Sequence, residues 1–247
     1  MKKPKILWYT CMQGRQEIVD IMLAGFNACK EHWKHDIEMD IFITASEDED
    51  VKFLDQRNIY HSQKPNNPVG LKFSRGLKDA LVLGWDYIMI LGSDDVISPE
   101  LFAYYLPEIQ KETPYFGTDA ICIVDYSTQR AKNFTIPPNS IAGVCGPGRM
   151  VSRDIVNHFD GYLWSGGDRG LDMLSNTKIT SYAPLKALHL QSEDVPLMWD
   201  IKSPINIWAY DKIVTPWCVE TSYNEQLERM PEQCKILIDE RRKQCAV

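Results

Sequence analysis

The chain has 247 residues, of which 44% are hydrophobic and 25% charged, the make-up of an ordinary folded protein, which excludes a long disordered or fibrous region. A formal net charge of −7 favours solubility and argues against a general nucleic-acid surface, while leaving room for a local basic groove. The seven cysteines, Cys11, Cys29, Cys122, Cys145, Cys218, Cys234 and Cys245, lack any CxxC spacing, so reduced thiols are expected.

The start, MKKPKILWYTCMQG, is charged, but its apolar run is broken and too short for the core of a signal peptide. No stretch approaches the roughly 20 apolar residues of a membrane span, so a cytoplasmic protein is expected, in the host cytoplasm if the source is viral. Residues 5–10 read as a buried strand, and Arg15 to Cys29 carries Ile18, Met22, Leu23 and Phe26 at helical spacing. A second strand is predicted over Met39–Thr44, ending in the acidic loop ASEDED, and a helix over Pro68–Leu83, closed by Gly84. Tyr87 to Leu91 is a continuous apolar block of strand length, suited to a central parallel strand covered on both faces. Alternating strands and helices imply a parallel sheet with right-handed crossovers.

The central strand delivers two adjacent carboxylates, Asp94 and Asp95, where open α/β sheets place their ligands, outside the carboxyl ends of the strands. A turn and helix cap is the plain alternative, because Ser98 and Pro99 follow and predict a helix through Glu108. Two like charges gathered at a strand end are costly, however, and a divalent ion coordinated by oxygens would offset that cost. Beyond a strand at Ala120–Val124, the Pro- and Gly-rich segment Thr135–Gly148 reads as a site-lining loop. The tail Tyr223–Lys243 has helical spacing and ends in Arg241, Arg242 and Lys243, cations suited to a helix C-terminus.

Over roughly residues 5–190 these features resemble the GT-A type of nucleotide-sugar glycosyltransferase, whose signature is a DxD-like acidic motif after a buried strand. The resemblance implies a single Rossmann-like α/β domain over 1–247 with a mostly parallel central sheet flanked by helices. Residues 1–130 would be the nucleotide-sugar donor half, 131–222 the acceptor and catalytic half, and 223–247 a C-terminal helix. Here the motif reads GSDD, with Gly92 in the first acidic position. By position Asp94 would hold Mn²⁺ or Mg²⁺ against the sugar-nucleotide diphosphate, Asp95 would contact the metal or the sugar, and the late His189 would complete the metal site. The satisfied core histidine is the plain alternative for His189.

The resemblance also assigns Thr10, Arg15, Ser93 and one of Glu47 or Asp48 to the nucleotide-sugar donor, a UDP-sugar being favoured. Lys72 and Arg75 would neutralise the diphosphate, unless they are solvated helix cations. The loop GVCGPG, with Gly146 and Gly148, would face the acceptor beside Trp164. Asp172, at a helix start, would be the base that deprotonates the acceptor hydroxyl, with Asp168 as substitute; an N-cap carboxylate is the alternative for each. Trp164, Trp199 and Trp208 could stack on a sugar or base, although tryptophan is commonly core. The implied activity is metal-dependent hexosyl or pentosyl transfer to a glycan, or to a hydroxymethylated pyrimidine in DNA, as in small viral enzymes of similar appearance. DNA would require a basic strip, for which Lys132, Arg149, Arg153 and Lys202 are the candidates. A nucleotidyltransferase and a non-catalytic sugar-nucleotide-binding domain are the competing classes. The same fold supports both stereochemical outcomes of transfer.

Overall fold

In a computed structural model, which describes residues 2–137, 140, 143–190, 196–203 and 210–245, the first strand, β1 (Lys5–Cys11), is buried along almost its whole length. Ile6 and Trp8 enter one apolar core, and Leu7 and Tyr9 enter another on the opposite face. That two-sided burial is why its sequence is apolar without alternation. In chain order there follow α1 (Gln16–Trp33), β2 (Glu38–Ala45), α2 (Asp48–Asp55), β3 (Tyr60–Gln63), α3 (Val69–Ala80), β4 (Tyr87–Ile90), β5 (Asp95–Ile97) and α4 (Leu101–Gln110). Next come β6 (Tyr115–Thr118), β7 (Ala120–Asp125), β8 (Arg130–Thr135), β9 (Arg149–Ser152), α5 (Arg153–His158), α6 (Leu171–Thr180) and β10 (Lys186–Leu188). The last elements are β11 (Met198–Lys202), a 3₁₀ turn (Tyr210–Lys212), β12 (Cys218–Thr221), α7 (Tyr223–Arg229) and α8 (Glu232–Cys245).

Seven strands form one sheet in the order β10-β6-β9-β4-β1-β2-β3. β3, β2, β1 and β4 run parallel, as the alternation of strands and helices predicts for β1, β2 and β4, while α2 and β3 are additions to that reading. β9 lies antiparallel to both β4 and β6, so the sheet is mixed. A second sheet, in the order β12-β8-β7-β11-β5, goes beyond the single sheet expected. Helix α1 is shared between the two: Val19, Met22 and Phe26 pack on the large sheet, and Ile18, Ile21 and Ala24 on the small one. It is therefore apolar around most of its circumference. A Cβ on Gly25 of this helix would lie 3.1 Å from Val96 Cγ1, so α1 presses directly on β5 and fixes its position.

Three local expectations change. Asp95 opens β5 rather than lying in a loop, and the helix after it is capped at Glu100, not Ser98, whose hydroxyl instead contacts the Glu100 carboxylate. The tail is two helices, because Pro231 confines the preceding residue to extended backbone, and Met230 accordingly has φ −72° and ψ 156°. Among the described residues, no helix is long and apolar enough to cross a membrane. Cys11, Cys29, Cys122, Cys145, Cys218 and Cys234 are free thiols.

Candidate metal and sugar-nucleotide site

The chain leaves β4 at Ile90 and turns through Leu91 to Asp94 before entering β5 in the second sheet. Strand β11 pairs antiparallel with β5, setting Asp200 opposite Asp95, and the Ile201 N–H donates to the Asp94 carbonyl at 2.8 Å. Strand pairing thus brings together Asp94, Asp95 and Asp200, with one carboxylate oxygen from each lying within 4.8 Å of the others. Gly92 at the first motif position has a steric cause. A Cβ there would sit 2.7 Å from Asp94 Oδ1 and 2.9 Å from Asp95 Oδ2, and the Gly92 N–H itself donates to the Asp95 carboxylate. The third acid is supplied from β11 instead.

Two cations border these acids. Lys202, two residues beyond Asp200 and so on the same face of β11, places Nζ 2.7 Å from Asp200 Oδ1 and 3.8 Å from Asp94 Oδ2. Arg15, in left-handed backbone (φ 56°) at the start of α1, donates to Ser93 Oγ at 2.8 Å and lies 3.5 Å from Asp94 Oδ2. Burial, reinforced by Asp200 and Asp94, pushes the Asp95 carboxyl well above the usual carboxylate range. Burial and Asp94 likewise raise Asp200 to about 6, against the opposing pull of Lys202. Three carboxylates are thus crowded into one largely buried space, where each disfavours the charged form of the others. A set of clustered carboxylate oxygens fits a hard divalent ion such as Mg²⁺ or Mn²⁺.

At the carboxyl ends of β1 and β2, Lys72 is 1% exposed and donates to the Met12 carbonyl at 2.5 Å, to Asn66 Oδ1 at 3.1 Å and to Ser46 Oγ. It is a tether between strand ends rather than a solvated helix cation, and its burial lowers its pKa. Glu47 caps α2 in a reciprocal capping box with Asp50 and accepts from Gln13 Nε2 at 2.9 Å, while Asp48 accepts from Gln63 Nε2. Arg75 is exposed on α3. Thr10 is 1% exposed with its hydroxyl sealed from solvent, which removes it from ligand contact.

The glycine-rich loop crosses the strand ends: Cys145 N–H donates to the Thr118 carbonyl and Gly148 N–H to the Ile90 carbonyl, each at 2.8 Å. Beside it, Asp172 stands in the first turn of α6 with its side chain 69% exposed. The buried Arg149 guanidinium donates to Asp172 Oδ1 at 2.8 Å, to the Asp172 carbonyl, to Ser175 Oγ and to the Gly146 carbonyl. A Cβ on Gly146 would fall 2.3 Å from Asp172 Oδ2, so any other residue there would displace that carboxylate from its present position. Asp168 caps another helix, accepting from the Val69 N–H of α3 at 2.8 Å.

Several expected contacts are not made. His189 Nδ1 pairs with Asp119 Oδ2 at 2.6 Å, and among the described residues the group of clustered metal-ligating side chains is Asp94, Asp95 and Asp200 without it. Trp164 is 3% exposed and packs on Tyr9 and Phe73, and Trp199 is fully buried; both are core, because their surroundings are apolar. Trp208 lies outside the described residues. The basic strip does not form either. Lys132 donates to the Tyr210 and Ile213 carbonyls and Arg153 to those of Trp85 and Leu81, while Arg149 and Lys202 are spent on carboxylates.

No family model and no curated protein matches the sequence. Solved structures do match. The Staphylococcus aureus glycosyltransferase TarS, residues 1–349, aligns at TM-score 0.54 and 15% identity over 80% of this chain and 60% of that one. A longer TarS structure aligns at 0.57 and 15% over 81% of this chain and 37% of TarS. The fold is GT-A-like. The chain spans less than two thirds of TarS in either case. A CMP:2-keto-3-deoxy-manno-octonic acid synthetase complexed with CTP aligns at TM-score 0.44 and 8% identity, which carries no weight for the site. Within the GT-A-like frame, Asp200 is the candidate ligand that sequence reading missed. Its signal was local but weak: an acid and a base at i and i+2 interrupt the apolar run of MWDIK.

Proposed function

We propose that the protein moves a sugar from a nucleoside-diphosphate sugar, with a UDP-sugar as first choice, to a hydroxyl of an acceptor glycan. The observation that carries this reading is the gathering of Asp94, Asp95 and Asp200 at the end of β4 in a GT-A-like fold. These three would hold Mn²⁺ or Mg²⁺, which would supply positive charge to the departing diphosphate. Arg15, already fixed beside Asp94, offers a rigid donor fork suited to phosphate oxygens. Lys72 holds the ends of β1 and β2 in place, and Glu47 with Gln13 forms the rim against which the nucleoside rests. Asp172 takes the proton of the acceptor hydroxyl, and Arg149 orients it from beneath. A pyrimidine in duplex DNA is the less supported acceptor, since the four cations that would grip phosphates are used internally.

Thermal unfolding with UDP, GDP, ADP, CDP and their common sugars, with and without Mn²⁺, tests the donor half. A ligand at 100 times its dissociation constant adds about 2.7 kcal/mol, on the order of 5 to 10 °C for a chain of this size. A metal-dependent shift for one nucleotide, lost in Asp94→Asn, is the expected result. No shift with any of them would remove the reading.

A further inference from the structure

We infer that Lys202 is a resident counter-cation that competes with a divalent ion for Asp94 and Asp200 and thereby sets how tightly the site holds that ion. This rests on the metal-binding part of the function proposed above. Lys202 is 5% exposed, so its ammonium cannot be satisfied by bulk water, and the two carboxylates are its ion-pair partners. Its backbone is held in place. β11 is paired on one side with β5 and on the other with β7, and the neighbouring Ile201 N–H is bonded to the Asp94 carbonyl.

Lys202 and Arg15 set two positive charges against the carboxylates of Asp94 and Asp200, so part of the site's negative charge is already countered before an ion enters. A dication entering this space meets an ammonium already 2.7 and 3.8 Å from two of its three ligands. Like charges at such separations repel strongly in a partly dry setting, so the ammonium must withdraw from Asp94 when the ion enters. Lysine suits this exchange because its charge is a compact point on a flexible stem. A bound diphosphate brings fresh negative charge and receives the displaced ammonium. Ion and donor therefore bind cooperatively, and the ion alone binds weakly.

The test is direct titration of the full chain with Mn²⁺, without nucleotide, followed by calorimetry or by the paramagnetic signal of free Mn²⁺. Lys202→Gln removes the charge and is expected to tighten Mn²⁺ binding at least tenfold, with a native circular dichroism spectrum. Because that variant leaves Asp200 without its partner and could unfold, a second comparison removes both members of the pair. Asp200→Asn alone should weaken Mn²⁺ binding, and Asp200→Asn with Lys202→Met should recover part of it. Equal or weaker binding in folded Lys202→Gln, or a double variant no tighter than Asp200→Asn, overturns the inference and leaves the metal site standing. Absence of Mn²⁺ binding in the wild type and in every one of these variants overturns the metal site as well.

Discussion

Placing an aspartate at Gly92, the first position of the DxD-like motif in the glycosyltransferases this sequence resembles, should damage this site rather than complete it. A Cβ at that position meets Asp94 Oδ1 at 2.7 Å and Asp95 Oδ2 at 2.9 Å, whereas ordinary contacts begin near 3.4 Å. Both carboxylates are on short side chains, and Asp95 is 2% exposed and further held by the Gly92 N–H. They must therefore shift by about half an ångström even for Gly92→Ala, an overpacking that costs about 1–3 kcal/mol. At roughly 2–4 °C per kcal/mol for a chain of this size, the melting temperature falls by roughly 2–12 °C. Gly92→Asp adds a further like charge among the acids, worth up to about 4 kcal/mol per pair at 4 Å in a partly screened setting. Differential scanning calorimetry and Mn²⁺ titration of both variants measure this, with at least tenfold weaker Mn²⁺ binding expected in each. A Gly92→Asp protein that melts like wild type and binds Mn²⁺ more tightly would refute the steric argument.

Asp168→Ala should cost about 0.5–2 kcal/mol by freeing the first N–H of α3, while Mn²⁺ binding stays unchanged; unfolding in urea alongside the titration checks this, and loss of sugar transfer at unchanged stability would instead assign Asp168 to the chemistry. The acidic site also predicts a pH dependence. With the Asp200 carboxyl raised from 3.8 to about 6 and Asp95 raised as well, the folded protein keeps protons that the unfolded chain releases. Stability from these groups is therefore greatest below the unfolded value and declines as pH rises from about 4 to about 6 in ion-free protein. Mn²⁺ affinity runs the opposite way, falling as pH drops through about 6, because protonated carboxyls are poor ligands. Melting temperatures across this range with and without Mn²⁺ should converge at the acid end, and a constant Mn²⁺ increment would contradict the assignment of Asp200 to the site.

The parallel half of the large sheet was legible because β1, β2 and β4 are buried on both faces and so are written as apolar runs, with amphipathic or apolar helices between them. The break between α7 and α8 was legible too, in Pro231, had local backbone rules been weighed above helical spacing. The small sheet was harder to see. β5 has only three residues, and β8, RAKNFT, mixes polar and apolar residues because it is only partly buried. The burial of Trp164 and the internal pairing of Lys132, Arg149 and Arg153 follow from which elements pack over them, which no composition reveals.

By itself the sequence determined the strand that ends in Asp94 and Asp95, since adjacency in the chain and an apolar run before it are local properties. Tertiary structure alone decided that Asp200 joins them, that Lys202 sits between its neighbours and that Gly92 leaves no room for another acid. The physical reason is that a charge cluster is made by distance in space. Here that distance is closed by the antiparallel pairing of β11 with β5, a contact between segments far apart in the chain, whose register is fixed by the packing of both strands against α1 and its neighbours.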